Sequence, residues 1–251
     1  MTTLEVLFTP AEYGRLADRD LRETWCVVFD VLRATSTMVN ALGNGAAAII
    51  PAVDIEEALR MRRAEPAILL AGEREGVRIQ PTLTGGVAFD LGNSPREFTR
   101  ASVRGRTVVM TTTNGTRALR ACTGARKVML GSFLNLSATS AFIEQEAPAH
   151  LLLVCSGTQE EAAYEDVLGA GGLCEALWPK YAGKAVSDSA LVARRLFEIE
   201  QGDLTAALAR TRNGRRLSAM PELREDVPFC AQRDTHGLVA EMKKDGVIRH
   251  A

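Results

Sequence analysis

Apolar runs that end in polar loops, each followed by an Ala/Leu-rich stretch, occur three times along this chain. The first copy is Cys26-Val-Val-Phe-Asp-Val-Leu-Arg-Ala-Thr-Ser-Thr37, the second Thr107-Val-Val-Met-Thr-Thr-Thr-Asn-Gly-Thr116 and the third Leu151-Leu-Leu-Val-Cys-Ser-Gly-Thr158. The first two continue in parallel. One runs from Met38 to Gly45-Ala46 and then Ala48-Ile-Ile50, the other from Arg117 to Gly124-Ala125 and then Val128-Met-Leu130. This pattern predicts strand, loop, helix, Gly turn and strand in each. Fully apolar runs such as Leu151–Val154 suit strands covered on both faces, and strands alternating with helices predict an α/β layered fold.

The remaining periodicity fills in the order of elements. A strand is expected over Leu4–Thr9, a helical pattern over Pro10–Leu21, a strand over 26–31, a helix over 35–43 and a strand over 48–52. Asp54 reads as an N-cap with acids in the first turn and arginines later, as the helix dipole prefers. A short strand is expected over 67–71, and a helix start at Asn93-Ser94-Pro95 with Ser94 as its cap. Strand 151–155 and helix 165–178 follow. After Pro179, stretches 189–200 and 205–211 read as helical, Asn213-Gly214 as a turn, and Val247-Ile248 as a small final strand. The expected architecture is a three-layer α/β/α fold with a largely parallel or mixed sheet. A single domain is expected over 1–251, with an α/β core over 1–180 and a mainly helical section over 181–251.

In a parallel sheet, such loops gather at the carboxyl ends of the strands, where ligands bind. Hydroxyls and free N–H groups at helix starts suit an anion, above all phosphate. Asp30, at the end of a buried strand, offers a carboxylate for Mg²⁺, and Arg33 a fork for an anion. Thr35 and Ser36 would cap the following helix; alternatively, Asp30 and Arg33 simply pair. Thr112, Thr113, Asn114, Gly115 and Thr116 form a second polar loop, followed by Arg117. It is not a Walker A loop, because no Gly-Lys-Ser/Thr follows at the required spacing. Glu73 offers a metal ligand or general base, with Arg74 beside it. Asp90 and Asn93 flank a predicted helix start. Glu165 and Asp166 are adjacent acids at another, favoured by the dipole and equally suited to Mg²⁺. Ser156, Gly157 and Thr158 complete the third loop.

Bulk properties narrow the field. The 251 residues carry a net charge of −1, which gives no electrostatic case for nucleic acid or an anionic membrane. Aromatics at 5% are too few for base-stacking platforms. Neither a signal peptide nor an apolar stretch near the ~20 residues of a bilayer span is visible. Five scattered cysteines, none in a Cys-x-x-Cys pair, read as reduced cytosolic thiols. Cys155 ends a strand, but the residue six positions on is Glu161, not the Arg of a Cys-x5-Arg phosphatase loop, so it is expected not to be a nucleophile. Three dispersed histidines make no metal site, and His236 is a minor acid/base candidate.

These loops resemble the 2-phosphosulfolactate phosphatases of coenzyme M biosynthesis. The matching stretches are Asp30–Thr37, Leu70-Ala-Gly-Glu-Arg74, Phe89-Asp-Leu-Gly-Asn-Ser-Pro95, Thr111–Arg117, Gly131-Ser-Phe-Leu-Asn135 and Cys155-Ser-Gly-Thr158. Glu165-Asp166 and Phe229-Cys-Ala-Gln-Arg-Asp234 also fit, so the likeness runs in order from about Val27 to Asp234. The chain departs from the family pattern at Glu75, Ala163-Tyr164 and Ser187. The resemblance implies a three-layer α/β fold and Mg²⁺-dependent hydrolysis of (R)-2-phospho-3-sulfolactate to (R)-sulfolactate and phosphate.

Together these readings set the expectations. Asp30, Glu73 and Asp166 are the catalytic candidates, and Asp30, Glu165 and Asp166 the metal candidates. Arg33, Thr35, Ser36, Arg74, Asn93, Thr112–Arg117 and Ser156–Thr158 are expected to hold substrate. The partner is a small anionic phosphorylated substrate, with a homodimer open and the cytoplasm as the setting. A non-catalytic binder of an anionic metabolite, a phosphatase for a related hydroxy acid phosphate, and an isomerase or lyase remain as alternatives.

Overall fold

The computed structural model describes residues 2–251. Its strands are β1 (Thr3–Leu7), β2 (Thr24–Phe29), β3 (Ala48–Pro51), β4 (Leu69–Arg74), β5 (Val77–Arg78), β6 (Thr107–Thr111), β7 (Lys127–Gly131), β8 (His150–Cys155), β9 (Ala185–Val186), β10 (Ala240–Met242) and β11 (Ile248–His250). The helices are α1 (Pro10–Tyr13), α2 (Ala34–Gly43), α3 (Ile55–Ala64), α4 (Arg100–Val103), α5 (Gly115–Ala121), α6 (Leu136–Glu146), α7 (Tyr164–Tyr181), α8 (Asp188–Glu200), α9 (Leu204–Ala209), α10 (Arg212–Ser218) and α11 (Asp226–Cys230). All strands join one mixed sheet in the order β5-β4-β6-β3-β11-β10-β7-β2-β8-β1-β9.

The repeat seen in the sequence has a definite structural meaning. Unit β2-α2-β3-α3-β4 and unit β6-α5-β7-α6-β8 exchange strands. β2 pairs with β7 and β3 with β6, both in parallel. Each unit therefore starts in one half of the sheet and crosses to the other. Between the halves lies the C-terminal hairpin, β10 antiparallel to β7 and β11 antiparallel to β3. Since β10 and β11 are themselves antiparallel, β3 and β7 run in opposite senses. The third sequence copy is therefore not a third unit. Its strand, β8, closes the second unit and is the counterpart of β4.

Alternation along the strands sorts the core into layers. On β2, Val27 and Phe29 join a cluster with Leu168, Leu173 and Leu177 of α7, whereas Cys26 and Val28 face α2 and α5 through Met38 and Leu119. A smaller cluster of Ala58, Ile68, Leu70 and Val109 lies under α3. Each fully buried Val, Leu or Phe contributes ~1.5–3 kcal/mol, so both faces of the central strands hold the layers together. Among the described residues no helix is long and apolar enough to cross a membrane.

Several boundaries differ from the sequence pattern. The 10–21 pattern resolves into α1 and a short 3-10 turn at Leu16–Asp18. β4 extends through Gly72-Glu73-Arg74, because Leu69–Gly72 pair with β6 and Glu73–Arg74 with β5. Asn213-Gly214 lies inside α10, whose cap is Thr211. Ser94 precedes only a 3-10 turn and makes no cap bond; its Oγ donates instead to Asp226 Oδ1 at 2.6 Å. Section 181–251 is helical only as far as α11, and its last strands fill the middle of the sheet.

Candidate active site

A cavity of about 150 Å³ opens where the loops after β2, β4, β6 and β8 meet. Asp30, Arg33, Glu73, Asn93, Thr112, Thr113, Asn114, Gly157, Thr158 and Asp166 line it, with Asn213 and Arg216 from α10. The two exchanged units bring their helix starts together at this point. A Cβ on Gly115 would fall 2.6 Å from Ala34 Cβ and 2.7 Å from Asp30 Oδ2. Only glycine lets α5 approach α2 this closely.

The acids are buried and held by defined donors. Asp30 Oδ1 accepts the Ala34 N–H at 2.9 Å. Burial raises its pKa to about 6, opposed by the Ala34 and Ser156 donors and reinforced by the charges of Glu73 and Glu165. Asp166 Oδ1 accepts from Val31 N at 2.8 Å, and its Oδ2 from Ser156 Oγ at 3.0 Å and Gly157 N at 3.1 Å. Desolvation first, then the charges of Asp30 and Glu165, push its pKa well upward. Glu165 is also raised by burial, with Asn213 Nδ2 donating to Oε1 at 2.6 Å. Glu73 ties two loops together. Its Oε1 accepts from Thr113 N at 2.8 Å and Thr113 Oγ1 at 2.9 Å, and its Oε2 from Gly76 N at 2.7 Å.

Asn114 clamps the two halves. Its Nδ2 donates to the carbonyls of Ser156, Gly157 and Gln159 at 3.3, 2.9 and 3.2 Å. Asn93 is buried at the cavity wall, and its Oδ1 finds no partner. Arg33 is buried too, but it is not paired with Asp30. Nη1 donates to Asp226 Oδ2 at 2.7 Å and Nη2 to the Gly76 carbonyl at 2.6 Å.

Other expected contacts are drawn elsewhere. Thr35 Oγ1 accepts from Asp30 N and donates to the Gly131 carbonyl, while Ser36 Oγ donates to the Val31 carbonyl. Both lie inside the first turn of α2 and brace the loop, rather than capping the helix. Thr112 Oγ1 accepts from Thr116 N, and Thr116 Oγ1 donates to the Thr112 carbonyl. Arg74 folds onto the Glu73 carbonyl and Thr111 Oγ1. Arg117 points outward to Glu160 at 2.6 Å, so it does not converge with Arg33. Asp90 accepts from Leu70 N and pairs with Arg62. Cys155 is buried in the core, and burial drives its thiol pKa well up, against a thiolate nucleophile.

Asp226, Asn213 and Arg216 were not marked by the sequence pattern. They lie about 50 to 190 residues beyond the groups that they meet, and Asn213-Gly214 carries the composition of a turn. Only the family-like stretch Phe229–Asp234, just beyond α11's first residues, hinted that this section belonged to the site.

Comparison with known proteins places these features in a family. Residues 13–245 match the family model described as 2-phosphosulpholactate phosphatase. A protein from Caldicellulosiruptor saccharolyticus named "Probable 2-phosphosulfolactate phosphatase" is 35% identical over 241 residues, 94% of this chain and 96% of its own. One of the same name from Pseudothermotoga lettingae is 37% identical over 250 residues, covering 99% of both chains. Another, from Synechococcus sp., is 38% identical over 228 residues, 88% of this chain and 90% of its own.

Proposed function

Since the chain belongs to the 2-phosphosulpholactate phosphatase family, a family of phosphoric monoester hydrolases, we propose that its cavity hydrolyses 2-phosphosulfolactate to sulfolactate and phosphate with Mg²⁺. The observation that carries this reading is a set of buried carboxylates facing one cavity, with Asp30 and Asp166 both pushed toward protonation. Uncompensated negative charge of this kind is relieved by a hard cation with oxygen ligands.

The donor set fits Mg²⁺. The acids on the wall are carboxylates, and neither His nor Cys stands among the lining residues. Among the described residues no three His, Cys, Asp or Glu side chains are grouped closely enough to hold a metal ion by themselves. Mg²⁺ needs only one or two carboxylates when water and substrate phosphate supply the rest. Asp30 and Asp166 would hold it, with Glu165 behind them. When bound, the ion polarises the phosphoryl group and offsets its charge.

The chain's own groups then orient the ester. The N–H groups of Asn114, on the cavity wall, and of Gly115 have no acceptor among the described residues, which leaves them available to phosphoryl oxygens. Glu73 is a positioning residue that bridges the loops at Thr113 and Gly76. Arg33, already paired with Asp226, holds the Gly76 loop more than it attracts substrate. All five cysteines are free and buried, which fits a reducing, cytoplasmic setting.

Phosphate release from 2-phosphosulfolactate, abolished by EDTA and restored by Mg²⁺, is the expected result. Asp30→Asn should lower kcat by at least about 100-fold, the loss of a group acting on the reacting centre, with the fold retained by circular dichroism. Sulfolactate binding without turnover would mean a non-catalytic metabolite binder instead. Turnover of other hydroxy acid phosphates but not this one would move the substrate assignment.

A further inference from the structure

A substrate with phosphate, sulfonate and carboxylate brings more negative charge than one metal ion offsets, and it meets a wall that is itself acidic. Among the described residues, Asp30, Glu73, Glu75 and Asp166 line the cavity against two cations, Arg33 and Arg216. The charge of Arg33 is taken by Asp226, which is wholly buried beside it.

Arg216 differs. It is exposed near the C-terminal end of α10, and its neighbours on that helix are committed elsewhere. Arg212 bonds Glu161 and the Thr158 carbonyl at 2.6 and 2.8 Å, and Arg215 bonds the Arg210 carbonyl. Among the described residues, Arg216 has neither an ion pair nor a hydrogen bond, yet it lines the cavity. Its guanidinium lies over the Gly76 loop, where a Cβ on Gly76 would fall 2.6 Å from Nη2. Gly76 sits at φ +80 and is pinned from below by Glu73 and Arg33. The loop is thereby shaped to leave the guanidinium uncovered at the mouth. The chamber therefore has an unmet cation at its entrance.

We propose that Arg216 is a specificity-determining residue that binds the non-reacting acid group of the substrate, the sulfonate or carboxylate, while the phosphate ester lies deeper among the carboxylates. This rests on the phosphatase reading above and adds to it a preference for phosphomonoesters with a second anionic group. Arginine suits the task because its planar fork matches two oxygens of either acid.

The test compares 2-phosphosulfolactate with glycerol 2-phosphate, a secondary phosphate ester without a second acid. Parent, Arg216→Gln, Arg216→Lys and the control Arg215→Gln are assayed with Mg²⁺, and folding is checked by thermal melting. Arg216→Gln should reduce kcat/KM for the sulfonated ester roughly 10- to 100-fold, the size of one lost charge-assisted contact. For glycerol 2-phosphate it should change less than about 3-fold, since no contact to a second acid exists to lose. Arg216→Lys should fall between, and Arg215→Gln should match the parent. Equal losses on both esters, or none on either, overturn the proposal. If the parent releases no phosphate from the sulfonated ester, the phosphatase reading fails by itself. Calorimetric titration of sulfolactate then decides the role of Arg216. Weaker binding to Arg216→Gln than to the parent supports it, and equal or absent binding to both overturns it.

Discussion

Gly115 stands where the starts of α2 and α5 come closest, so its missing side chain does structural and chemical work together. In Gly115→Ala the new methyl must displace Ala34 or the Asp30 carboxylate, at 2.6 and 2.7 Å. Overpacking of this kind costs ~1–3 kcal/mol, and here it also moves the central acid. The expected outcome is a lower midpoint in urea together with at least about 10-fold lower phosphatase turnover, since a small misplacement of a reacting group is costly. Parent-like stability and activity would show that the helix starts have slack. Asp226 presents the opposite case, a buried charge held by Arg33, by Ser94 and, at 3.6 Å, by Arg96. Asp226→Ala leaves Arg33 buried without its 2.7 Å partner and frees Ser94 Oγ. Breaking one side of a buried pair costs ~3–5 kcal/mol. Denaturant unfolding should show that loss, and a change below about 1 kcal/mol, the range of exposed pairs, would mean that the pair is effectively solvated.

At the scale of elements, the connection from α11 to β10 is fastened to α2 through a histidine. His236 is half-buried, its Nε2 lies 3.0 Å from Asn40 Oδ1, and burial lowers its pKa below the ordinary 6.5. Because the folded pKa is lower, the unfolded chain binds more protons in the interval below 6.5. Stability held above that pH is therefore lost as pH falls through the folded pKa. The melting temperature of the parent should drop more between pH 7.5 and 5 than that of His236→Gln, which cannot take up that proton. Identical drops in both proteins would remove His236 from the account. The same logic of fastening explains α10. Its Asn213 bonds Thr158 Oγ1 and Glu165 Oε1, both at 2.6 Å, so a late helix completes a wall begun by much earlier loops.

At the scale of the whole molecule, the exchange of strands makes each unit depend on the other, and the hairpin β10–β11 joins the two halves. Removing residues 240–251 would uncover the edges of β3 and β7 and strip cover from Ile49 and Leu130, which are fully buried. Unpaired apolar edges in the middle of a sheet drive aggregation. The truncated chain should accumulate as insoluble protein, or as a compact state without a cooperative melt. A soluble truncation melting within about 3 °C of the full chain, a shift of ~1 kcal/mol, would show that the halves hold without the hairpin.

The sequence by itself determined the local rules. Strand, loop and helix alternate as its periodicity requires, and the Asp54 cap accepts from Glu57 N as its position in a capping sequence implies. These features depend on neighbours within a few residues, where sterics and capping operate. Tertiary structure alone decided which partner each polar group found. Arg33 turned to Asp226 and Ser94 left its cap for the same carboxylate, since a buried charge must be satisfied wherever a donor is brought near. Arg117 took Glu160, and the free cation at the cavity came instead from Arg216. Only the closed fold could also set the two halves in opposite directions, because the hairpin that reverses them arrives at the end of the chain. Pairing across more than 100 residues, as between Ala240 and Leu130, leaves no periodic trace in the sequence.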